Sequence, residues 1–263
     1  MPQLGFCSIS ALDRPLAEVA ELAAKLDLDG VEVTARPPHL EMGASDAAVA
    51  EAARAVGGAG IAAIAYGSYF GHAPHTTPDH ARREAEVAAA LGAPLLRVWA
   101  ENAIGGFDAV VAALRAACDA GASAGVTVVV ERHVGSWADT PERAERLLDV
   151  VERPNLALNY QVLDLLPEDA AGAQPADARR LVPRARYFHL KNYRRNPDGG
   201  PLLPGGSLAD GVLDYRAILG AAFEAGYAGP LSIEFLSFEP RPVEEKLGED
   251  LAWLRQVLSE CGA

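Results

Sequence analysis

Short apolar runs alternate along this chain with longer stretches in which apolar residues recur every third or fourth position, the two spacings of buried strands and amphipathic helices. Strands are predicted at residues 4–9, 30–33, 61–66, 95–99, 126–130, 155–160, 187–190 and 231–235, and helices at 15–26, 45–56, 79–91, 107–124, from Thr140 onward, 175–181, 213–225 and 243–259. Asp79 reads as an N-cap, Gly57-Gly58, Gly92 and Gly125 as helix stops, and Thr140-Pro141 as a cap followed by proline in the first helical position. Residues 192–210 are rich in Gly, Pro and Arg and read as a functional loop without a regular element.

Eight strand–helix units of about 30 residues each imply an α/β fold closed as a (β/α)8 barrel, a single domain over 1–263. An open doubly wound sheet is the alternative, but no Gly-x-Gly-x-x-Gly turn follows the first strand. The run 126–130 is β-branched throughout, as in a strand buried on both faces, and ends in Glu131, Arg132 and His133. Two later strands repeat the design, ending in His189 and Lys191 and in Glu234. In a parallel barrel these tips converge on one face, together with Glu32, Tyr66, Glu101 and either Asn159 or Gln161.

Composition narrows the partners more than the fold. Half of the residues are hydrophobic (50%) and 22% are charged, enough apolar surface for a large core. A net charge of −13 argues against binding the phosphate backbone of nucleic acid, which takes clustered Lys and Arg. Cys7, Cys118 and Cys261 are too few and too scattered for a disulfide framework, which suits a reducing, cytoplasmic setting. No secretory signal is expected at the N-terminus, and no apolar run approaches the ~20 residues of a membrane helix.

Two glutamates and a histidine at the tips of three strands, Glu131, His189 and Glu234, make a mixed oxygen and nitrogen set suited to Mn²⁺, Mg²⁺ or Zn²⁺. The same carboxylates could instead pair with Arg132, Lys191 or Arg97 as rim salt bridges. His72, in the loop after the third strand, either reaches a substrate or is solvated. Glu101 is placed for substrate hydroxyl groups or for capping the next helix, and Tyr66 and Trp99 for stacking on a sugar or for core packing. Arg195, beside Arg194, is a candidate for a phosphate or carboxylate, or a solvated loop charge, and Cys7 reads as buried packing.

The segments Glu131-Arg-His-Val-Gly135, His189-Leu-Lys191, Gly211-Val-Leu-Asp214 and Gly226-Tyr-Ala-Gly-Pro-Leu-Ser-Ile-Glu234 resemble the xylose isomerase-like TIM barrels, the sugar phosphate isomerase and epimerase superfamily. The resemblance implies that Glu131 and Glu234 are metal ligands and the acid/base pair, that His189 is a third ligand, and that Lys191 faces the substrate. His133 matches a polar position after the first ligand. The departure is in the sixth strand, where the family supplies an aspartate, often with a histidine three residues on. Here Gln161 or Asn159 takes the aspartate's place, and in the first register Asp164 takes the histidine's. An amide brings no charge, so metal affinity is expected to fall.

The resemblance implies a metal-dependent isomerase or epimerase of a small sugar, ketose or hydroxy-keto acid, that is, a polyhydroxy carbonyl substrate. It leaves open an inosose-dehydratase-like lyase, and a metal-free barrel acting as a binding subunit or recruited to specialised metabolism. Endonuclease activity of the kind found in this superfamily uses a three-zinc, histidine-rich site, and this chain has 6 histidines and an acidic balance. Barrels of the family often form dimers or tetramers, and the last helix offers a surface for a homo-oligomer.

Overall fold

Eight parallel strands close into a barrel, and the parity of residues along each strand decides what fills it. The computed structural model describes residues 1–262. The barrel strands are β1 (Leu4–Cys7), β2 (Gly30–Thr34), β3 (Ala62–Gly67), β4 (Leu95–Val98), β5 (Thr127–Glu131), β6 (Leu156–Tyr160), β7 (Ala185–Leu190) and β10 (Leu231–Ile233). Each pairs with its neighbour in chain order, and β10 closes the ring by pairing with both β7 and β1. Between the strands run α1 (Leu16–Lys25), α2 (Asp46–Gly58), α3 (Pro78–Ala90), α4 (Phe107–Ala124), α5 (Pro141–Val151), α6 (Gln174–Leu181) and α7 (Tyr215–Glu224), with α8 (Val243–Glu260) last. Among the described residues no helix is long and apolar enough to cross a membrane.

Side chains alternate across each strand, so one parity faces the helices and the other the barrel axis. Val128, Val130, Leu158, Phe188, Leu190 and Ile233 join the layer between sheet and helices. Ile64, Ala65, Leu95, Val129, Ala157 and Tyr187 form a separate inner cluster. Two residues further along the same parity the inward positions turn polar: Arg97 follows Leu95, Glu131 follows Val129, Asn159 follows Ala157, and His189 follows Tyr187. The apolar lower layer thus carries a buried polar layer at the C-terminal ends of the strands.

Several expected boundaries move. Thr77, not Asp79, caps α3: its hydroxyl accepts from the His80 N–H at 3.2 Å, with Pro78 first in the helix. Gly57-Gly58 does not stop α2, which runs through both. Thr140 caps α5, and Gly125 ends α4 in the left-handed region, both as expected. Residues 192–210, read as irregular, hold an antiparallel hairpin of β8 (Asn192–Arg194) and β9 (Leu203–Gly206). Its strands are too short and too rich in Gly and Pro to show period-two patterning, while Gly199 and Gly200, at φ 78° and 92°, make the turn.

The hairpin is tied to the barrel from both sides. The Asn192 amide donates to the Leu208 and Leu213 carbonyls, each at 3.2 Å, and its oxygen accepts from the Leu213 N–H at 3.0 Å. From α8, Asp250 accepts from the Leu208 N–H at 2.7 Å and is buried, which pushes its carboxyl pKa up to about 6. A carboxyl raised above its ordinary value near 4 stabilises the fold fully below that value and loses this contribution as pH rises through 6. At neutral pH the buried charge costs on the order of 3 kcal/mol. Asp250→Asn keeps an acceptor and removes the charge, so its melting temperature is expected to exceed that of the parent at pH 8 by several degrees and to match it at pH 4. Equal melting temperatures at pH 8 would contradict this.

Candidate active site

The buried polar layer is a charge network built around two cations. Arg97, 2% exposed, donates from Nε to Glu32 Oε1 at 2.9 Å and from Nη1 to Glu131 Oε2 at 2.5 Å. Gly67 makes room for this pair: a Cβ there would lie 2.3 Å from Glu32 Oε1 and 2.6 Å from Arg97 Nη2. Lys191, also buried, places Nζ 3.1 Å from Glu234 Oε2 and 3.2 Å from Asp164 Oδ2. His189 sits between the two halves, with Nε2 at 2.7 Å from Glu32 Oε2 and Nδ1 at 3.5 Å from Glu234 Oε1.

The neighbours set the protonation states. Burial alone would raise the Glu32 pKa, but the Arg97 guanidinium and His189 outweigh it and hold the carboxyl at about 2. Glu234 is likewise lowered against its burial, by Lys191 and His189. Burial works against a charged Lys191, yet Glu234 and Asp164 keep its pKa above the ordinary lysine value. Burial also opposes a charged His189, and the Glu32 and Glu234 carboxylates on either side of the ring raise it well above the usual imidazole value. Cys7 itself is pushed up to about 12 by burial and by Glu32, so it is a neutral thiol, buried as expected, with its Sγ 3.8 Å from Glu32 Oε2.

Oxygen and nitrogen atoms of Glu131, His189 and Glu234 all lie within 4.8 Å of one another, and Cys7, Glu32 and His189 form a second such set. The first set fits a divalent ion. Glu32 engages Nε2 of His189 and leaves Nδ1 toward Glu234, the arrangement by which a carboxylate orients a ligating histidine. Gln161 donates from Nε2 to Glu131 Oε1 at 2.7 Å and to the Arg132 carbonyl at 2.8 Å, while its Oε1 is buried without a partner. Asn159, two residues deeper on the same face, places its amide 3.2 Å from Nδ1 of His189. Both sixth-strand amides therefore enter the site: Gln161 beside Glu131, Asn159 beneath His189. Asp164 joins them at the mouth, where it also accepts from the Tyr193 hydroxyl at 3.0 Å.

Above this layer an aromatic wall lines the opening. Trp99 stacks on Tyr69 with centroids 6.0 Å apart and meets the His133 ring at 4.5 Å, while His72 packs edge-on at 5.5 Å. Glu101 caps the wall, accepting from the Ala73 N–H at 3.0 Å and lying 3.4 Å from His72 Nε2. The wall stands because Gly71, at φ 85°, lets its loop lie on the end of β4; a Cβ there would meet the Trp99 carbonyl oxygen at 1.9 Å. His133 donates from Nδ1 to the Val134 carbonyl at 2.8 Å, and its Nε2 lies 3.8 Å from Asp164 Oδ2.

The structure brings Glu131, Gln161, His189, Lys191, Glu234, His133, Trp99, His72 and Glu101 to one face of the barrel. It does not bring Tyr66 there. Tyr66 has the outward parity and donates its hydroxyl to Glu84 of α3 at 2.8 Å, inside the layer between sheet and helices. Arg195 lies beyond the hairpin strand β8, exposed and paired with Glu168 at 2.7 Å. The salt-bridge alternative is also realised, since Arg97 pairs with Glu131 and Lys191 with Glu234, but inside the barrel and not on a solvated rim. Tyr69 and the spanning role of Arg97 were missed; the inward parity of Leu95 and Arg97 was the signal that could have found the latter.

The model of one protein family, the xylose isomerase-like TIM barrel, matches residues 20–257. The chain belongs to that family. No curated protein matches it. Among solved structures, a xylose isomerase-like TIM barrel protein from Mycobacterium smegmatis in complex with magnesium is 17% identical, with a TM-score of 0.74 over 100% of this chain and 97% of that one. A probable 3-DHS dehydratase from Bacillus anthracis, AsbF, is 15% identical, with a TM-score of 0.72 over 96% and 98%. A D-allulose 3-epimerase from Methylomonas sp., in complex with D-allulose, is 17% identical, with a TM-score of 0.69 over 97% and 96%. At these identities the likeness is one of fold.

Proposed function

We propose that this member of the xylose isomerase-like family is a metal-dependent isomerase or epimerase of a small polyhydroxy carbonyl compound, acting by proton abstraction next to the carbonyl. The observation that supports it is the convergence of Glu131, His189 and Glu234 within 4.8 Å at the mouth of the barrel, beside a buried ammonium and an aromatic wall. A divalent ion, Mn²⁺ or Mg²⁺ by its carboxylate and amide oxygens and Zn²⁺ by its imidazole, would be held by Glu131, Gln161, His189 and Glu234 and would acidify the C–H beside a carbonyl.

The chain's own residues supply the rest. Glu131 and Glu234 come from strands on different sides of the mouth, so one carboxylate can remove the proton and the other return it. Lys191 brings a fixed positive charge to the oxygen on which enolate charge develops. Trp99 and Tyr69 present a flat apolar surface to one face of a sugar and exclude water, while Glu101, His72 and His133 offer partners to its hydroxyl groups. The test is to incubate the Mn²⁺-loaded protein with ketoses, hydroxy-keto acids and inososes in deuterium oxide. Deuterium should enter at the carbon next to the carbonyl of at least one of them. No exchange with any member of the panel would contradict the reading.

A further inference from the structure

Beside the Glu131, His189 and Glu234 set, the barrel interior holds a thiol. Cys7 and Glu32 stand opposite each other in the β1–β2 pair, and His189 reaches them from β7. All three are buried, and one ligand atom from each lies within 4.8 Å of the others. Glu32 divides its oxygens. Oε1 takes the Arg97 guanidinium at 2.9 Å, while Oε2 faces both His189 Nε2, at 2.7 Å, and Cys7 Sγ, at 3.8 Å. Further oxygens lie in the same interior. The Tyr187 hydroxyl is 3.9 Å from Sγ. The Ser232 hydroxyl is buried without a partner, and only the missing side chain of Gly5, two residues before Cys7 on the same face, admits it: a Cβ there would lie 2.4 Å from Ser232 Oγ.

A thiolate, an imidazole and one carboxylate oxygen make a donor set for zinc, whereas Mn²⁺ and Mg²⁺ favour oxygen. Charge suits the exchange as well. Two protons now point at Oε2, one on the neutral Cys7 thiol and one on Nε2 of a ring kept charged by the carboxylates on either side. A zinc ion bound to the thiolate, the neutral ring and Oε2 sends both protons to solvent and brings the same two positive charges. The buried charge is therefore unchanged, and Arg97 keeps its hold on Oε1. The ring cannot serve both sets at once. Coordinated through Nε2, a neutral imidazole carries its proton on Nδ1, the nitrogen that lies 3.5 Å from Glu234 Oε1.

We propose that Cys7, Glu32 and His189 form a second, thiolate-containing site that takes Zn²⁺, and that its occupancy withdraws His189 from the Glu131–Glu234 set and so weakens binding of an oxygen-seeking ion there. The second clause rests on the metal-dependent reading; the zinc site does not.

Co²⁺, which takes zinc sites and reports a sulfur ligand by its absorption, tests this on the full chain. Anaerobic titration should give a thiolate-to-cobalt charge-transfer band in the near ultraviolet at one equivalent, and Zn²⁺ should bleach it. The band should vanish in Cys7→Ser and persist in Cys118→Ala, Cys261→Ser and Glu234→Gln. Mn²⁺ titrated by calorimetry should bind the parent holding one equivalent of Zn²⁺ at least about tenfold more weakly than the metal-free parent, a coupling of ordinary size between two sites. Co²⁺ bound without the band, or a band that survives Cys7→Ser, overturns the thiolate site and leaves the metal-dependent reading standing. Mn²⁺ binding unchanged by Zn²⁺ overturns the sharing of His189. A band in a parent that binds no Mn²⁺ when metal-free supports the thiolate site and counts against the metal-dependent reading.

Discussion

Glu234→Gln is expected to lower the rate of deuterium exchange into substrate by about 10³-fold, within the range that removal of a general acid or base gives, while the barrel stays folded. Glu234 follows β10 directly, is 5% exposed, and holds Lys191 at 3.1 Å. The amide keeps the volume but loses the negative charge, and any amide nitrogen turned toward Lys191 or His189 meets another donor. Lys191 retains Asp164, so the loss of stability should be modest beside the loss of rate. Glu131→Gln should act alike, with the added strain that Arg97 and Gln161 both donate to Glu131 oxygens. Exchange rates and Mn²⁺ stoichiometry of both variants check this. Turnover and metal content left intact in both would remove these residues from the chemistry.

The site was legible where strand parity and residue type agreed. Val129 then Glu131, and Tyr187 then His189 then Lys191, carry an inward apolar residue followed two positions on by a polar one, so the tips of those strands named themselves. Gln161 and Asn159 could not be chosen between because both have inward parity, and the structure puts both amides in the site. Tyr66 takes the core-packing alternative and not the stacking one, because the inward position at that strand end is Gly67, whose missing side chain is what the Glu32–Arg97 pair needs. The register shift between Val31 and Glu32 in the β2–β3 pair leaves no trace in the sequence pattern. Arg97 was legible as a partner for a glutamate but not as a span between two, because that depends on Glu32 and Glu131 lying on either side of β4 across the barrel. The aromatic wall was half legible: Trp99 and His72 stood out by type, whereas Tyr69 reaches Trp99 only through the turn at Gly71.

Arg97→Met should be the most damaging single change to the fold, costing about 3–5 kcal/mol, because it removes the cation from a buried pair and strands the carboxylates. Glu32 and Glu131 are 1% and 2% exposed and have no route to solvent. In the parent, Glu32 is held at about 2, below the ordinary value near 4.3, so its contribution to stability is present above that value and lost as pH falls toward 2. Without Arg97 the dominant influence on Glu32 is burial, which raises a carboxyl, and the sign reverses: stability is then lost as pH rises. Urea unfolding of Arg97→Met at pH 5 and pH 8 should accordingly show the larger deficit at pH 8. Lysine is no substitute, since one ammonium cannot make both contacts that the guanidinium makes from Nε and Nη1. Adding Glu32→Gln to Arg97→Met removes one of the two stranded charges and should recover part of the stability. If Arg97→Met unfolds at the same urea concentration as the parent at both pH values, the buried network does not hold this end of the barrel together, and the fixed position of Glu131 must come from Gln161 and the strand itself.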